Sequence, residues 1–95
     1  MSNLDSDSVI HRTGEQVSTK VEDKTVLLQL ASGEYYALNP VGAELWERME
    51  TPQTVRALAE HLVEQYEVTF DTALGDVLEL VESLKEAGFV VVPTP

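Results

Sequence analysis

The sequence predicts an α+β domain, a three-stranded antiparallel sheet followed by three helices, with the two kinds of element segregated into layers. Two observations carry this reading. Between residues 16 and 38, apolar and polar side chains alternate with a period of two, punctuated by short turn signals. From residue 40 to residue 87, the apolar residues recur instead at spacings of three and four. Gly33-Glu34-Tyr35-Tyr36-Ala37-Leu38-Asn39-Pro40 joins the two regimes, supplying a turn, a short aromatic strand and a helix start.

Taken in order, residues 1–8 are acidic and polar without periodicity, and Val9-Ile10 is a short apolar segment. Residues 1–15 are therefore expected to form a disordered acidic tail, and residues 16–92 the folded domain. Val17, Thr19 and Val21 alternate with Ser18 and Lys20, the pattern of a half-buried strand. Glu22-Asp23-Lys24 reads as a turn. Residues 25–30 are the strongest strand, with Val26, Leu28 and Leu30 expected on the core face. Leu27 on the opposite face is also apolar, so part of that side is expected to be covered. Gly33 accepts the positive φ of a hairpin turn, and Tyr35–Leu38 returns as the third strand. A strand that stops this abruptly at a helix suits a sheet edge, and an exposed edge is able to pair with another extended peptide.

Asn39 caps the first helix and Pro40 opens it. Residues 40–49 place Val41, Leu45, Trp46 and Met49 along one side. Thr51-Pro52 ends that helix and Thr54 caps the next, whose stripe is Val55, Leu58, Ala59, Leu62, Val63 and Tyr66. The third helix starts near Thr69 or Phe70 and ends before Gly88, a residue suited to the C′ position. Phe89 is placed to fold back on Leu84, and Val90-Val91-Val92 reads as a short terminal strand.

The third helix carries more apolar surface than one core needs. Phe70, Leu74, Val77, Val81 and Leu84 form a stripe of ordinary width. Leu78 widens it on one flank, and Ala73, Leu80 and Ala87 widen it on the other. Together they span about half the circumference, against roughly 100° for a surface helix. Such a helix either sits deep in the protein or lines a groove. Asp76, Glu79, Ser83 and Glu86 form a strip on its polar side. That strip is either a solvated face or the receiver of a basic side chain beside a groove lined by Leu80 and Leu84.

Composition narrows the function. Net charge is −11 with six Lys and Arg among 95 residues, so phosphate backbones and anionic lipid are repelled. A partner with some positive charge, or a mainly apolar one, is favoured; nucleic acid and membranes are not. The absence of cysteine excludes disulfides, iron–sulfur clusters and thiolate zinc sites, and it fits a reducing cytoplasm. No apolar run approaches the roughly 20 residues of a membrane span, and the acidic start is the opposite of a secretory signal. No nucleophile–base constellation and no phosphate-cradling glycine loop is visible. His11 falls in the tail and His61 reads as a surface residue of the second helix, so no metal, cofactor or catalytic residue is expected. Three strands with three helices also describe a winged-helix-like arrangement, which makes a nucleic-acid-binding regulator the rival class. Its third helix would present Asp71, Asp76, Glu79, Glu82 and Glu86 against Lys85 alone. A reading helix of that sign repels the duplex.

With these residues assembled, the chain resembles the pyrroloquinoline-quinone-biosynthesis protein D (PqqD) family, the precursor-peptide recognition elements of ribosomally synthesised and post-translationally modified peptide (RiPP) pathways. The resemblance runs from about Val17 to Val92. It rests on Val26-Leu27-Leu28, Gly33-Glu34-Tyr35-Tyr36-Ala37-Leu38-Asn39, Gly42-Ala43 with Trp46, Thr54, Tyr66, Asp76-Val77 and Gly88-Phe89, in that order. It implies a non-catalytic peptide chaperone that binds the leader of a precursor as an added strand against the third strand and third helix. By position, Glu34, Tyr35, Tyr36, Ala37 and Leu38 would supply the pairing backbone. Val77, Leu80, Val81 and Leu84 would line the apolar wall, and Asp76 and Glu79 would meet a polar or basic leader residue. Which of Tyr35 and Tyr36 faces the groove stays open, because one register slip exchanges them. Within the family, the run from Leu38 to Ala43 and the free-standing length look most like the leader-binding protein of split lasso-peptide systems. There a cysteine-protease-like enzyme removes the leader and an ATP-dependent cyclase closes the ring. The member of the quinone-cofactor pathway, which partners a radical enzyme, is the alternative.

Overall fold

The computed structural model describes residues 4–14 and 16–93. Along them run β1 (Val9–Arg12), β2 (Gln16–Val21), β3 (Lys24–Gln29), β4 (Tyr35–Leu38), α1 (Pro40–Arg48), β5 (Gln53–Thr54), α2 (Val55–Gln65), α3 (Phe70–Glu86) and β6 (Val90–Val91). The α+β class and the β2-β3-β4 antiparallel sheet are as the sequence predicts. A second three-stranded antiparallel sheet, ordered β5-β1-β6, was not expected.

That second sheet corrects the reading of a disordered tail at Val9–Arg12; residues 1–3 and 15 of the expected tail lie outside the described residues. Val9 and Ile10 pair with Thr54 and Gln53, and His11 and Arg12 pair with Val91 and Val90. Ile10 is 0% exposed. Two strands of two residues each give β1 its partners, so no local period in the sequence marks it. The Val90–Val91 strand was legible, and its partner is β1.

In the main sheet, β2 and β3 pair without interruption from Gln16↔Gln29 to Val21↔Lys24, with Glu22 at φ 59 in the turn. β3 and β4 pair from Thr25↔Leu38 to Leu28↔Tyr35. Directly paired residues share a face, so Leu27, Gln29, Tyr36 and Leu38 face the helices while Val17, Val26, Leu28 and Tyr35 face away. Burial agrees: Leu27 is fully buried, whereas Val17, Val21, Leu28, Leu30 and Tyr35 are exposed. The expectation that Val26, Leu28 and Leu30 line the core is reversed, and β2 is exposed rather than half-buried. The inward polar residue is satisfied in place, because the Gln29 amide donates to the carbonyl of Gly88 at 2.5 Å. This bond ties the sheet to the end of α3.

The helix ends follow their caps. Asn39 Oδ1 accepts from the Gly42 amide at 2.7 Å, Thr54 Oγ1 from Ala57 at 3.0 Å, and Thr69 Oγ1 from Thr72 at 3.2 Å. At the end of α3, Gly88 takes φ +86, its amide donates to Lys85, and the Phe89 amide donates to Leu84. That pair of bonds is a Schellman cap, and Phe89 and Leu84 are both fully buried. The core joins Trp46 and Met49 of α1 and Leu58 and Leu62 of α2. Val77, Val81 and Leu84 of α3, with Ile10, Leu27 and Leu38 from the sheets, complete it. Val63 and Tyr66 lie outside it, exposed at the end of the α2 stripe.

Candidate functional site

Among the described residues β4 pairs with β3 alone, which leaves one edge of the main sheet open. The Gln29 amide donates to the Glu34 carbonyl at 2.8 Å. Antiparallel alternation from that bond turns the backbone of Tyr36 and Leu38 toward β3 and that of Tyr35 and Ala37 toward the open edge. Side chains alternate as well. Tyr35 is 75% exposed on the outer face, and Tyr36 points inward, where its ring meets Phe89 edge-on at 6.3 Å between centroids.

Beside this edge lies a cavity of about 430 Å³ bordered by β4, α1, α2 and α3. Leu45 and Leu62, nearly buried, and the half-buried Val41, Leu80 and Tyr36 give it apolar surface. Asp76 and Glu79, both exposed, give it negative charge, and Asn39 and Ser83 line it too. Among the described residues neither carboxylate makes an ion pair. Gly42 permits the close join of β4 to α1: a Cβ there would stand 3.2 Å from Asn39 Oδ1 and 3.3 Å from Leu38 Cδ2. The site thus combines free backbone donors and acceptors with an apolar, acidic trough.

The structure sorts the residues the sequence proposed. Tyr36, Asp76, Glu79 and Leu80 line the cavity, and Tyr35 and Ala37 offer backbone at the edge. Glu34 is exposed at the start of the strand, with its carbonyl already engaged by Gln29. Val77, Val81, Leu84 and Leu38 are core residues, so the assignment of the first three to the groove wall is corrected. A helix face turned fully inward cannot also line a surface trough, and only the Leu80 flank reaches it. Ser83, from the polar strip of α3, lines it as well, whereas Asn39, Val41, Gly42, Leu45 and Leu62 were missed. The capped turn into α1 carried a signal for the first three; the α1–α2 contact carried none.

Behind the cavity, Glu44 joins α1 to α2. It accepts the Tyr66 hydroxyl at 2.8 Å, and His61 Nε2 lies 3.2 Å from its other oxygen. His61 is 8% exposed, which corrects its reading as a surface residue. The Tyr66 hydrogen bond, with smaller help from His61, holds the Glu44 carboxyl below its ordinary range, and Glu44 in turn raises Tyr66. A depressed carboxylate stabilises the fold above its unfolded pKa and loses that contribution as pH falls through the folded one. Tyr66→Phe is expected to raise the Glu44 pKa toward the ordinary value, read by NMR titration of its carboxyl carbon. Among the described residues no His, Cys, Asp and Glu side chains are grouped to hold a metal ion, and no helix is long and apolar enough to cross a membrane.

The pattern that defines coenzyme PQQ synthesis protein D (PqqD) matches residues 24–90. The chain belongs to the PqqD family. Among solved structures, this PqqD-family chain is similar to a lasso peptide synthetase B1 complexed with the leader peptide. The two share 32% identity at a TM-score of 0.77, over 86% of this chain and 96% of that one. It also shares its fold with TbiB1 in complex with the TbiA(beta) leader peptide, at 22% identity and a TM-score of 0.79, over 90% and 99% of the two chains. Comparison with curated protein sequences gave no match.

Proposed function

We propose that this chain is a non-catalytic adaptor of lasso-peptide maturation. It captures the leader of a ribosomally synthesised precursor by strand addition to β4, in the cytoplasm, and delivers it to a cysteine-protease-like enzyme that removes the leader. An ATP-dependent cyclase acts on what is released. The observation that carries this reading is the open β4 edge running beside an apolar and acidic cavity. The similar structures support it, because both are complexes with leader peptides. Backbone pairing at Tyr35 and Ala37 sets the register of the guest, and its inward side chains enter the trough. Leu80, Leu45 and Leu62 favour an apolar residue there, and Asp76 and Glu79 favour a basic one. A winged-helix role on nucleic acid lacks a surface, since the exposed Asp76 and Glu79 of α3 repel phosphate.

Delivery requires a second surface, and the outer face of the main sheet supplies one. Val17, Leu28 and Tyr35 form an exposed apolar row across its three strands. A guest strand added to β4 continues that row with its own outward side chains. An enzyme docking there would therefore meet adaptor and leader together.

Calorimetric titration of the isolated chain with the cognate leader tests capture. Ala37→Pro probes strand addition directly, because the Ala37 amide faces the open edge and proline there spares the β3–β4 ladder. Its dissociation constant is expected to rise about tenfold with little change in melting temperature. Leader peptides N-methylated at alternate residues should show the same alternation from the guest's side. Wild-type affinity in both experiments rejects strand addition.

A further inference from the structure

The two walls of the proposed leader groove belong to different parts of the fold. β4 is the edge of the main sheet, and α3 contributes Asp76, Glu79, Leu80 and Ser83 across the cavity. Walls that face each other across a cavity do not pack on each other there, so their separation is set where the cavity ends. At one end β4 runs directly into α1 through the Asn39 cap and Gly42. The other end is marked by Tyr36, whose ring meets Phe89 just beyond α3. There the tie between the walls is Gln29.

Every polar group of Gln29 is engaged at that end. Its backbone amide donates to the Glu34 carbonyl and its carbonyl accepts from the Gly33 amide, both at 2.8 Å, which closes the turn into β4. Its side-chain oxygen accepts from the Ala31 amide at 3.4 Å within the same turn. Its Nε2 leaves the hairpin and donates to the carbonyl of Gly88, in the α3 cap, at 2.5 Å. Among the described residues no other hydrogen bond joins the main sheet to α3 or its cap. Ring contacts such as Tyr36–Phe89 are satisfied over centroid distances of about 4.5–7 Å, whereas an amide–carbonyl bond confines its partners to about 2.7–3.2 Å. The bond is therefore the tighter gauge. Gln29 is 6% exposed, and Leu27, the preceding inward residue of β3, is apolar and fully buried. A leucine at position 29 would bury similar volume with no polar group to satisfy. The amide contributes a fixed distance that such packing would not.

We infer that Gln29 is a positioning residue for leader capture: its side-chain amide holds the start of β4 and the end of α3 at the separation that admits one extended chain. This role rests on leader capture at β4, and it adds what sets the width of that site. Without the bond the end of α3 is free to drift from the sheet. A guest paired to β4 then no longer meets Leu80 and Asp76 in a preorganised position.

The test measures binding of a fluorescein-labelled leader segment of the precursor by anisotropy, well below the melting temperature, with folding checked by circular dichroism. Gln29→Leu keeps the volume and lacks the donor, so its dissociation constant is expected to rise about tenfold in the folded chain. Gln29→Glu is the rescue variant. As the neutral acid, its O–H donates to Gly88 while its other oxygen accepts from Ala31; as the carboxylate it has no proton to donate. Burial favours the neutral acid, so affinity should lie within about threefold of wild type near about pH 5 and fall about tenfold by about pH 8. Wild type over the same range is the reference for His11 and His61, the chain's two imidazoles. Ile10→Val, buried in the second sheet, loses stability without touching the groove and should bind within about twofold of wild type. A readout without leader is also open. The chain has no cysteine, so spin labels at Tyr35→Cys and Glu79→Cys, both exposed, report the β4–α3 distance. Gln29→Leu should broaden that distribution, and Ile10→Val should leave it unchanged. Wild-type affinity in folded Gln29→Leu, a Gln29→Glu affinity that is flat with pH, or an unbroadened distance would overturn the positioning role and leave leader capture standing. A wild-type chain that fails to bind the leader would overturn both.

Discussion

Leu80→Glu is expected to abolish leader binding in a chain that still folds, whereas Leu84→Glu is expected to unfold it. The two leucines lie one helical turn apart on α3 and look equivalent in the sequence. Leu80 is half-buried and lines the cavity beside Asp76 and Glu79; Leu84 is fully buried against Phe89 and the sheet. A carboxylate at position 80 reaches water, so the fold loses little. It also removes apolar contact from the centre of the site and adds a third negative charge. Truncation of such central contacts typically weakens binding by about thirtyfold or more. A carboxylate at position 84 is buried without a partner in a well-packed core, at an expected loss above about 4 kcal/mol. Small domains hold only about 5–15 kcal/mol in total. Calorimetry with the leader and thermal unfolding by circular dichroism separate the two outcomes. Wild-type affinity in a folded Leu80→Glu chain would remove the groove from the binding surface.

Val17→Lys combined with Tyr35→Lys is expected to leave capture nearly untouched and to block delivery. Both side chains are on the outer sheet face, flanking Leu28, and are 48% and 75% exposed. Substitutions at such positions usually change stability by no more than about 0.5 kcal/mol each. The backbone of Tyr35 remains available at the β4 edge, so leader affinity should stay within about threefold. Removal of the leader by the cysteine-protease-like enzyme should fall by about tenfold or more if that enzyme docks on the apolar row. The readout is the cleavage rate with leader and adaptor saturating. An unchanged rate would assign delivery to another surface.

These two pairs also show where sequence reasoning reached its limit. The helices were legible because caps and periods are local: Asn39, Thr54 and Thr69 sit where the helices begin, and Gly88 where the last one ends. The strand at Tyr35–Leu38 and its open edge were legible for the same reason. The faces of β3 were not. Alternation distinguishes two faces without naming the inner one, and the rule that apolar residues turn inward fails when the outer face is itself apolar. Gln29 carried no local sign of facing inward, because its partner, the Gly88 carbonyl, lies far away in sequence. α3 was over-assigned to the groove because width alone does not say which flank meets water. β1 was missed because its partners are short and remote.

That remote pairing bears on how the molecule is made. β1 and β6 are separated in sequence by the main sheet and all three helices, yet each completes the other. His11 and Arg12 therefore lack their strand partners until residues 90–91 have left the ribosome. Local helices and the β2–β3 hairpin gain order earlier, while closure across the chain comes late and slowly. A nascent chain ending at Gly88 should leave β1 open to protease, and two or three further residues should close it.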